Sequence, residues 1–265
     1  MKPTQRFSDR ALDYVVGRPS YPDEAIDALF EDLGQPSDLT VVDLGAGTGI
    51  SSRLLVERGA RVIAVEPNTA MSDQSETVPN LVWQLATAED TRLPHASADL
   101  VTAFQAFHWF DPIASIAEIA RILRPGGRSA LVYNERNEND VFTAAYGALV
   151  RCYATDETER RRSDGRTMFS ASPIWYRLTV REFANRQKLD RAGLHARARS
   201  TSYLPKDGPT ATALYAALDA LFDSYAAADA VTMQMKTIAT IAYLSPDEQA
   251  RTLATADLEM RAVTD

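Results

Sequence analysis

The chain alternates short apolar runs with stretches whose apolar residues recur every three or four positions. Leu39-Thr40-Val41-Val42-Asp43-Leu44 is a compact apolar run that ends in glycines, the signature of a strand buried on both faces. Ser51 to Gly59 then reads as a helix with Leu54 and Leu55 on one face. The alternation continues with a strand over Arg61–Val65, a short helix over Thr69–Glu76, and strands over Leu81–Leu85 and Asp99–Gln105. Asp111-Pro112 starts a helix carrying Ile113, Ile116, Ile119, Ile122 and Leu123, stopped by Pro125-Gly126-Gly127. Ser129–Tyr133 is the fifth strand. Strand alternating with helix predicts right-handed crossovers and a mostly parallel sheet with helices on both faces. Ligands bind such sheets beyond the carboxyl ends of the strands, so chemistry is sought just after each strand.

The second half has a different texture. Asn137–Asp156 reads as a long helix, Leu178–Asp190 contains a strand, Pro209–Ala228 is an Ala-rich helix and Val231–Leu244 is a closing strand. The charged stretch Thr158–Gly165 reads as a solvated face or loop rather than a binding patch. Ser245-Pro246-Asp247-Glu248 has the form of a helix start. With no repeat or linker, the expected organisation is one domain. It comprises an N-terminal helical cap (1–35), a cofactor-binding half (36–136), a substrate-side half with a helical insertion (137–244) and a helical tail (245–265).

Charge narrows the partners. The net charge is −8, from 28 Lys+Arg against 36 Asp+Glu, which disfavours nucleic acid and anionic membrane surfaces. The single cysteine, Cys152, forms no internal disulfide, and three scattered histidines make no metal site, so no metal is expected. The polar start and the absence of a long apolar run suit a cytoplasmic protein. Oligomeric state is open.

Val42–Gly49 (VDLGAGTG) is the strongest motif. Glycines directly after a buried strand let the backbone approach a ligand, and the next helix offers its amides. The spacing is G-x-G-x-G, not the G-x-G-x-x-G of dinucleotide binders, because position 50 is Ile. Asp43 at the strand end would repel a pyrophosphate and attract an ammonium group. The competing reading is a tight turn without ligand. Glu66 ends the second strand, where a carboxylate accepts both hydroxyls of a ribose or caps a helix. The Ala88-Glu89-Asp90 turn adds acid where an adenine amino group would lie. Together these positions select adenosine joined to an amino acid, as in S-adenosyl-L-methionine.

The sequence resembles the class I S-adenosylmethionine-dependent methyltransferases. The likeness rests on VVDLGAGTG (41–49), VIAVEP (62–67), TAED (87–90), ADLVTAFQAFHWF (98–110) and RILRPGGRSALVYNE (121–135). It is nearest the small-molecule, trans-aconitate methyltransferase-like branch, through FSDRALDYVVGRPSYP (7–22) and STSYLP (200–205). The resemblance implies a three-layer Rossmann-like α/β fold, with a seven-stranded sheet ordered 3-2-1-4-5-7-6, strand seven antiparallel, and helical caps. It implies that Asp43, Gly45, Ala46 and Gly47 hold the methionine end, that Glu66 holds the ribose, and that Pro67 and Met71 flank adenine. Ala88 and Glu89 would approach the adenine edge, with Gln105 and Ala106 along the methionine side. Tyr14 would close over the cofactor and Arg18 pair with its carboxylate; core packing and a surface ion pair are their plainer roles.

On the acceptor side, Phe107, His108 and Trp109 follow strand four, where an aromatic wall excludes water. His108 is the candidate catalytic base, or else a structural histidine. Tyr133, Asn134 and Tyr203 are candidate substrate contacts. His95 is expected on an exposed loop, and His195 has no partner motif. The reading is methyl transfer to a small-molecule acceptor, releasing S-adenosyl-L-homocysteine. Two alternatives stand beside it: different chemistry on bound S-adenosylmethionine, and a non-catalytic binding or regulatory protein on the same fold.

Overall fold

The computed structural model describes residues 18–72, 78–245, 247 and 250. Tyr14, the rest of the helix expected to run on to Glu76, and nearly all of the expected tail lie outside the described residues.

The sheet is built from β1 (Thr40–Leu44), β2 (Arg61–Val65), β3 (Leu81–Gln84), β4 (Ala98–Phe104), β5 (Leu123–Arg136), β6 (Trp175–Leu189) and β7 (Val231–Leu244). Its order is β3-β2-β1-β4-β5-β7-β6, as the resemblance implies. The first five strands pair in parallel, while β7 runs antiparallel to both β5 and β6. Between them come α1 (Asp23–Phe30), α2 (Ile50–Glu57), α3 (Thr69–Ser72), α4 (Pro112–Ile122), α5 (Val141–Tyr153), α6 (Thr158–Ser170), α7 (Arg191–Ser200) and α8 (Gly208–Tyr225). Asp111 caps α4 by accepting from the amides of Ile113 and Ala114, with Pro112 in the first turn, as its sequence predicts.

Successive strand residues feed opposite cores. Val41 joins Ile26, Leu29, Leu55 and Val62 on one face, and Val42 joins Val101, Ile119 and Leu131 on the other. A third cluster lies beyond the parallel half. There Met233 and Met235 of β7 pack with Tyr146 of α5, Leu194 of α7 and Leu214 and Phe222 of α8. The described part of the segment expected as an N-terminal cap, residues 18–35, divides in two. Helix α1 packs on the sheet face through Ile26, Leu29 and Phe30, while residues 18–21 run along the strand ends.

The stretch Thr158–Gly165 is neither loop nor fully solvated face: it is the first half of α6. Gly165 and Phe169 are buried, and Gly165 lies so close to His108 that an added Cβ would sit 3.4 Å from its Cα. Residues 162, 165, 166 and 169 follow the i, i+3, i+4, i+7 spacing of one helix face, and that face looks inward. The long helix expected from Asn137 begins only at Val141, because β5 continues through Arg136 to pair with Met235. Among the described residues no helix is long and apolar enough to cross a membrane.

Candidate active site

Two cavities open at the carboxyl ends of β1, β4 and β5, about 250 Å³ and 290 Å³ in volume. They share a wall made by Arg18, Gly45, Phe104, Gln105, Arg162 and Tyr203. The smaller is lined by the glycine loop, and the larger by arginines.

Gly45 (φ +65°) and Gly47 (φ +60°) both adopt left-handed backbone. A Cβ on Gly45 would lie 2.7 Å from Ala106 Cβ, so only glycine lets the loop close on the β4 turn. Both glycines line the smaller cavity, and Ala46 lines the larger.

Asp43 is placed differently from the expectation. The residue is fully buried, lines neither cavity, and accepts from Ser51 Oγ and Ser52 Oγ at 2.7 Å each and from Thr102 Oγ1 at 3.0 Å. Register explains the placement: Asp43 pairs with Ala64 on one side and Thr102 on the other, inside the sheet. Its carboxylate ties β1 to the start of α2 and so sets the glycine loop rather than presenting a charge to a ligand. Burial pushes its pKa up against the three hydroxyls, which pull it down.

Glu66, Pro67, Met71, Ala88 and Glu89, the expected cofactor contacts after β2 and β3, all line the smaller cavity. The two carboxylate oxygens of Glu66 accept from the amides of Gly47 and Asn68, each at 2.9 Å. One side chain thus fixes the loops after β1 and β2 while keeping lone pairs for a further donor. Burial pushes its pKa up; the two amides lower it and nearby Asp43 raises it. Glu89 accepts from the amide of Asp111 at 2.8 Å.

After β4 the chain turns sharply. Gln105 has φ +54°, uncommon for a residue with a side chain and a mark of local strain. Its Nε2 donates to the Asn134 carbonyl at 2.9 Å, and its Oε1 accepts from Arg162 Nη2 at 2.7 Å. Ala106, His108 and Trp109 line the smaller cavity. His108 Nδ1 lies 3.4 Å from Tyr133 Oη. Burial, reinforced by Arg162, Arg18 and Arg161, holds the ring well below its ordinary 6.5, so it is neutral at physiological pH.

Two expected substrate contacts are core residues. Phe107 is 1% exposed and packs edge-on against Phe110 and Phe169; Tyr133 is 1% exposed beneath the Arg162 and Arg166 guanidiniums. Neither lines a cavity. Burial pushes the Tyr133 phenol up to about 12, so it stays protonated. Asn134 lines the larger cavity, but its side chain serves structure: Nδ2 donates to the Ser20 carbonyl, and Oδ1 accepts from Asn185 and Thr237. It holds residues 18–21 against β5. Tyr203 lines both cavities and donates to Glu159 at 3.2 Å. Arg18 also lines both, with Nη2 donating to the Ser200 carbonyl at 3.0 Å. His95 is half-buried rather than exposed, and His195 has a partner, Asp219, at 3.0 Å.

The residues that sequence reasoning missed are mostly arginines. Arg162 and Arg166 come from α6, Arg136 from the end of β5 and Arg197 from α7. The i, i+4 pair in α6 was findable from helical spacing; Arg136 and Arg197 carry no local signal.

Comparison with known proteins adds a likeness over part of the chain. Residues 42–131 match the family model described as a methyltransferase domain. An uncharacterized methyltransferase of Mycobacterium tuberculosis (strain ATCC 25618 / H37Rv) is 46% identical over 145 residues, 54% of this chain and 58% of that protein. The match therefore spans less than two thirds of that relative. A solved structure from Anaeromyxobacter dehalogenans, described as a candidate type II methyltransferase, superposes with TM-score 0.58 at 24% identity over 85% of this chain and 96% of that one. A Haemonchus contortus N-methyltransferase, solved with phosphomonomethylethanolamine and S-adenosylhomocysteine, gives TM-score 0.50 at 16% identity over 92% and 58%. The two structures establish the fold. The narrower likeness to the trans-aconitate branch rests on the sequence segments alone. Residues 42–131 are thus similar to a methyltransferase domain, set within a seven-stranded sheet of order 3-2-1-4-5-7-6.

Proposed function

We propose that this chain transfers a methyl group from S-adenosyl-L-methionine to a small-molecule acceptor, leaving S-adenosyl-L-homocysteine. The observation that carries the reading is the pair of cavities meeting at Gln105 beyond the strand ends, one walled by the glycine loop and Glu66. The residues fit that cofactor. Side-chain-free Gly45 and Gly47 leave backbone open to a methionine moiety, and Glu66 retains lone pairs for a ribose diol. Pro67 and Met71 supply apolar surface for adenine, with Ala88 and Glu89 at its edge. When bound, the cofactor supplies an electrophilic methyl on a sulfonium centre.

The chain's own contribution is alignment. The Gln105–Arg162–Asn134 hydrogen bonds fix the wall between the two sites, where a bound acceptor meets the cofactor side. Trp109 and Phe110 exclude water there. His108 is the candidate proton acceptor for a neutral acceptor: its ring is unprotonated at working pH, and its depressed pKa makes it a weak base.

The test is turnover with methyl-labelled S-adenosylmethionine and a pool of small metabolites. Label recovered in a low-molecular-weight product, with equimolar S-adenosylhomocysteine, is the expected result. Cofactor consumed without any methylated product would point to other chemistry, and cofactor bound without consumption to a binding protein.

A further inference from the structure

Three polar side chains meet where β5, β7 and β6 lie side by side: Asn134, Thr237 and Asn185. Asn134 is 7% exposed and Thr237 is fully buried. Asn134 pairs with Thr237 in the register of β5 and β7, and Asn185 lies two residues beyond Phe183, the β6 partner of Thr237. Asparagine is disfavoured in strands, so two of them over one buried threonine need a reason.

Each polar group of the three is engaged. Thr237 Oγ1 donates to Asn134 Oδ1, and Asn185 Nδ2 lies 3.0 Å from Asn134 Oδ1 and 3.2 Å from Thr237 Oγ1. Asn185 Oδ1 accepts from the Arg186 amide at 2.7 Å, which settles which end of its amide is the nitrogen. Among the described residues, the partner from outside the sheet is the Ser20 carbonyl. It accepts from Asn134 Nδ2 at 3.1 Å and from Asn185 Nδ2 at 2.9 Å.

That carbonyl belongs to a stiff segment. In Arg18-Pro19-Ser20-Tyr21-Pro22 a proline stands on either side of Ser20, each locking its own φ and pushing the residue before it to extended backbone. Where Ser20 is held, Arg18 is placed. Arg18 lines both cavities, with Nη2 donating to the Ser200 carbonyl at 3.0 Å. Tyr21 packs edge-on against Phe104 of the shared wall, 4.8 Å between centroids. The Asn134 carbonyl accepts from Gln105 and Arg162, so one residue holds the segment with its side chain and the wall with its backbone. Asn185 lines neither cavity and sits on the edge strand β6.

We propose that Asn185 is a positioning residue for the cofactor site: acting with Asn134 through the Ser20 carbonyl, it sets Arg18 where the carboxylate of S-adenosylmethionine would be paired. This deepens the methyl-transfer reading and rests on it for the ligand. A side chain at the edge of the sheet thereby acts on a site that it does not touch.

The test is calorimetric titration with S-adenosylhomocysteine, which carries the amino acid carboxylate, and with methylthioadenosine, which lacks it. Asn185→Ala and the isosteric Asn185→Asp both lose the N–H donor. Each should weaken S-adenosylhomocysteine about 10-fold and leave methylthioadenosine within about twofold, which certifies the fold and the adenosine end. Arg18→Gln should show the same split, and adding Asn185→Ala to it should cost little more, because both act through one contact. Hydrogen exchange over residues 18–24 of the unliganded protein should be faster in both Asn185 variants. Lys188→Gln, exposed on the same strand, should behave as the parent. Parental binding of S-adenosylhomocysteine by the Asn185 variants, equal losses of both ligands, unchanged exchange, or effects that add to those of Arg18→Gln would overturn the proposal. A parent that binds neither ligand would remove the cofactor reading and the proposal with it, whereas parental binding of both by the Asn185 variants would remove only the role of Asn185.

Discussion

The smaller cavity takes most of its walls from successive strand-to-helix turns, whereas the larger gathers arginines from β5, α5, α6, α7 and the segment before α1. In the first case the fold brings neighbours in sequence to one edge of the sheet, so glycines, Glu66 and Gln105 do their work where local motifs put them. In the second, α5 and α7 pack on the third hydrophobic cluster and α6 on the first, and apart from the Arg162–Arg166 pair each arginine comes from a different element. A fixed ligand can be recognised by short motifs on rigid strand ends, while a variable one is met by single residues on the additions.

The strongest way to break this contrast is Gly45→Val. The added side chain meets Ala106, and the φ of +65° is strained for valine. S-adenosylmethionine affinity should fall more than about 100-fold and stability by roughly 3 kcal/mol, read by calorimetry and denaturant titration. Next is Glu66→Ala, which strands the Gly47 and Asn68 amides and removes the expected ribose contact. Affinity for S-adenosylmethionine should drop about 10- to 100-fold. An unchanged affinity would mean that Glu66 only braces the loops.

Arg162→Gln sharpens the contrast at the shared wall. Kinetics should show kcat/KM for the acceptor falling about 10-fold, with a smaller change in cofactor affinity. The reverse pattern would assign Arg162 to the cofactor.

The smallest effect concerns His108. Its folded pKa lies below the unfolded value near 6.5, so the unfolded chain binds the proton more readily. Its contribution to stability is complete above pH 6.5 and is lost as pH falls toward the folded pKa. Between pH 6.5 and 5.5 the parent should lose up to about 1 kcal/mol more stability than His108→Asn. Parallel curves would show that the histidine titrates as it does in water.

The parallel half was legible because a buried strand followed by glycines leaves few alternatives. Strand ends differ from expectation by a residue or two, except that β5 starts six residues before the expected Ser129 and ends three after Tyr133. Asp43, Phe107 and Tyr133 show the limit. Phe107 and Tyr133 each sit one residue from a cavity-lining position and Asp43 two from Gly45, and the sheet or the turn carries their side chains into the core. Charge misled at α6, where a run of arginines is solvated on one side and lines the site on the other. Arg197 was unreadable, since nothing near it in RAGLHARARS tells which charge faces a cavity.

The central claim is that the glycine-loop cavity takes S-adenosylmethionine. Its most direct test is parallel calorimetric titration of the purified protein with S-adenosylmethionine, S-adenosylhomocysteine and NAD. The account predicts micromolar binding of the first two, about −8 kcal/mol, and none of the third. No heat from either sulfur compound, or equal binding of NAD, would contradict it.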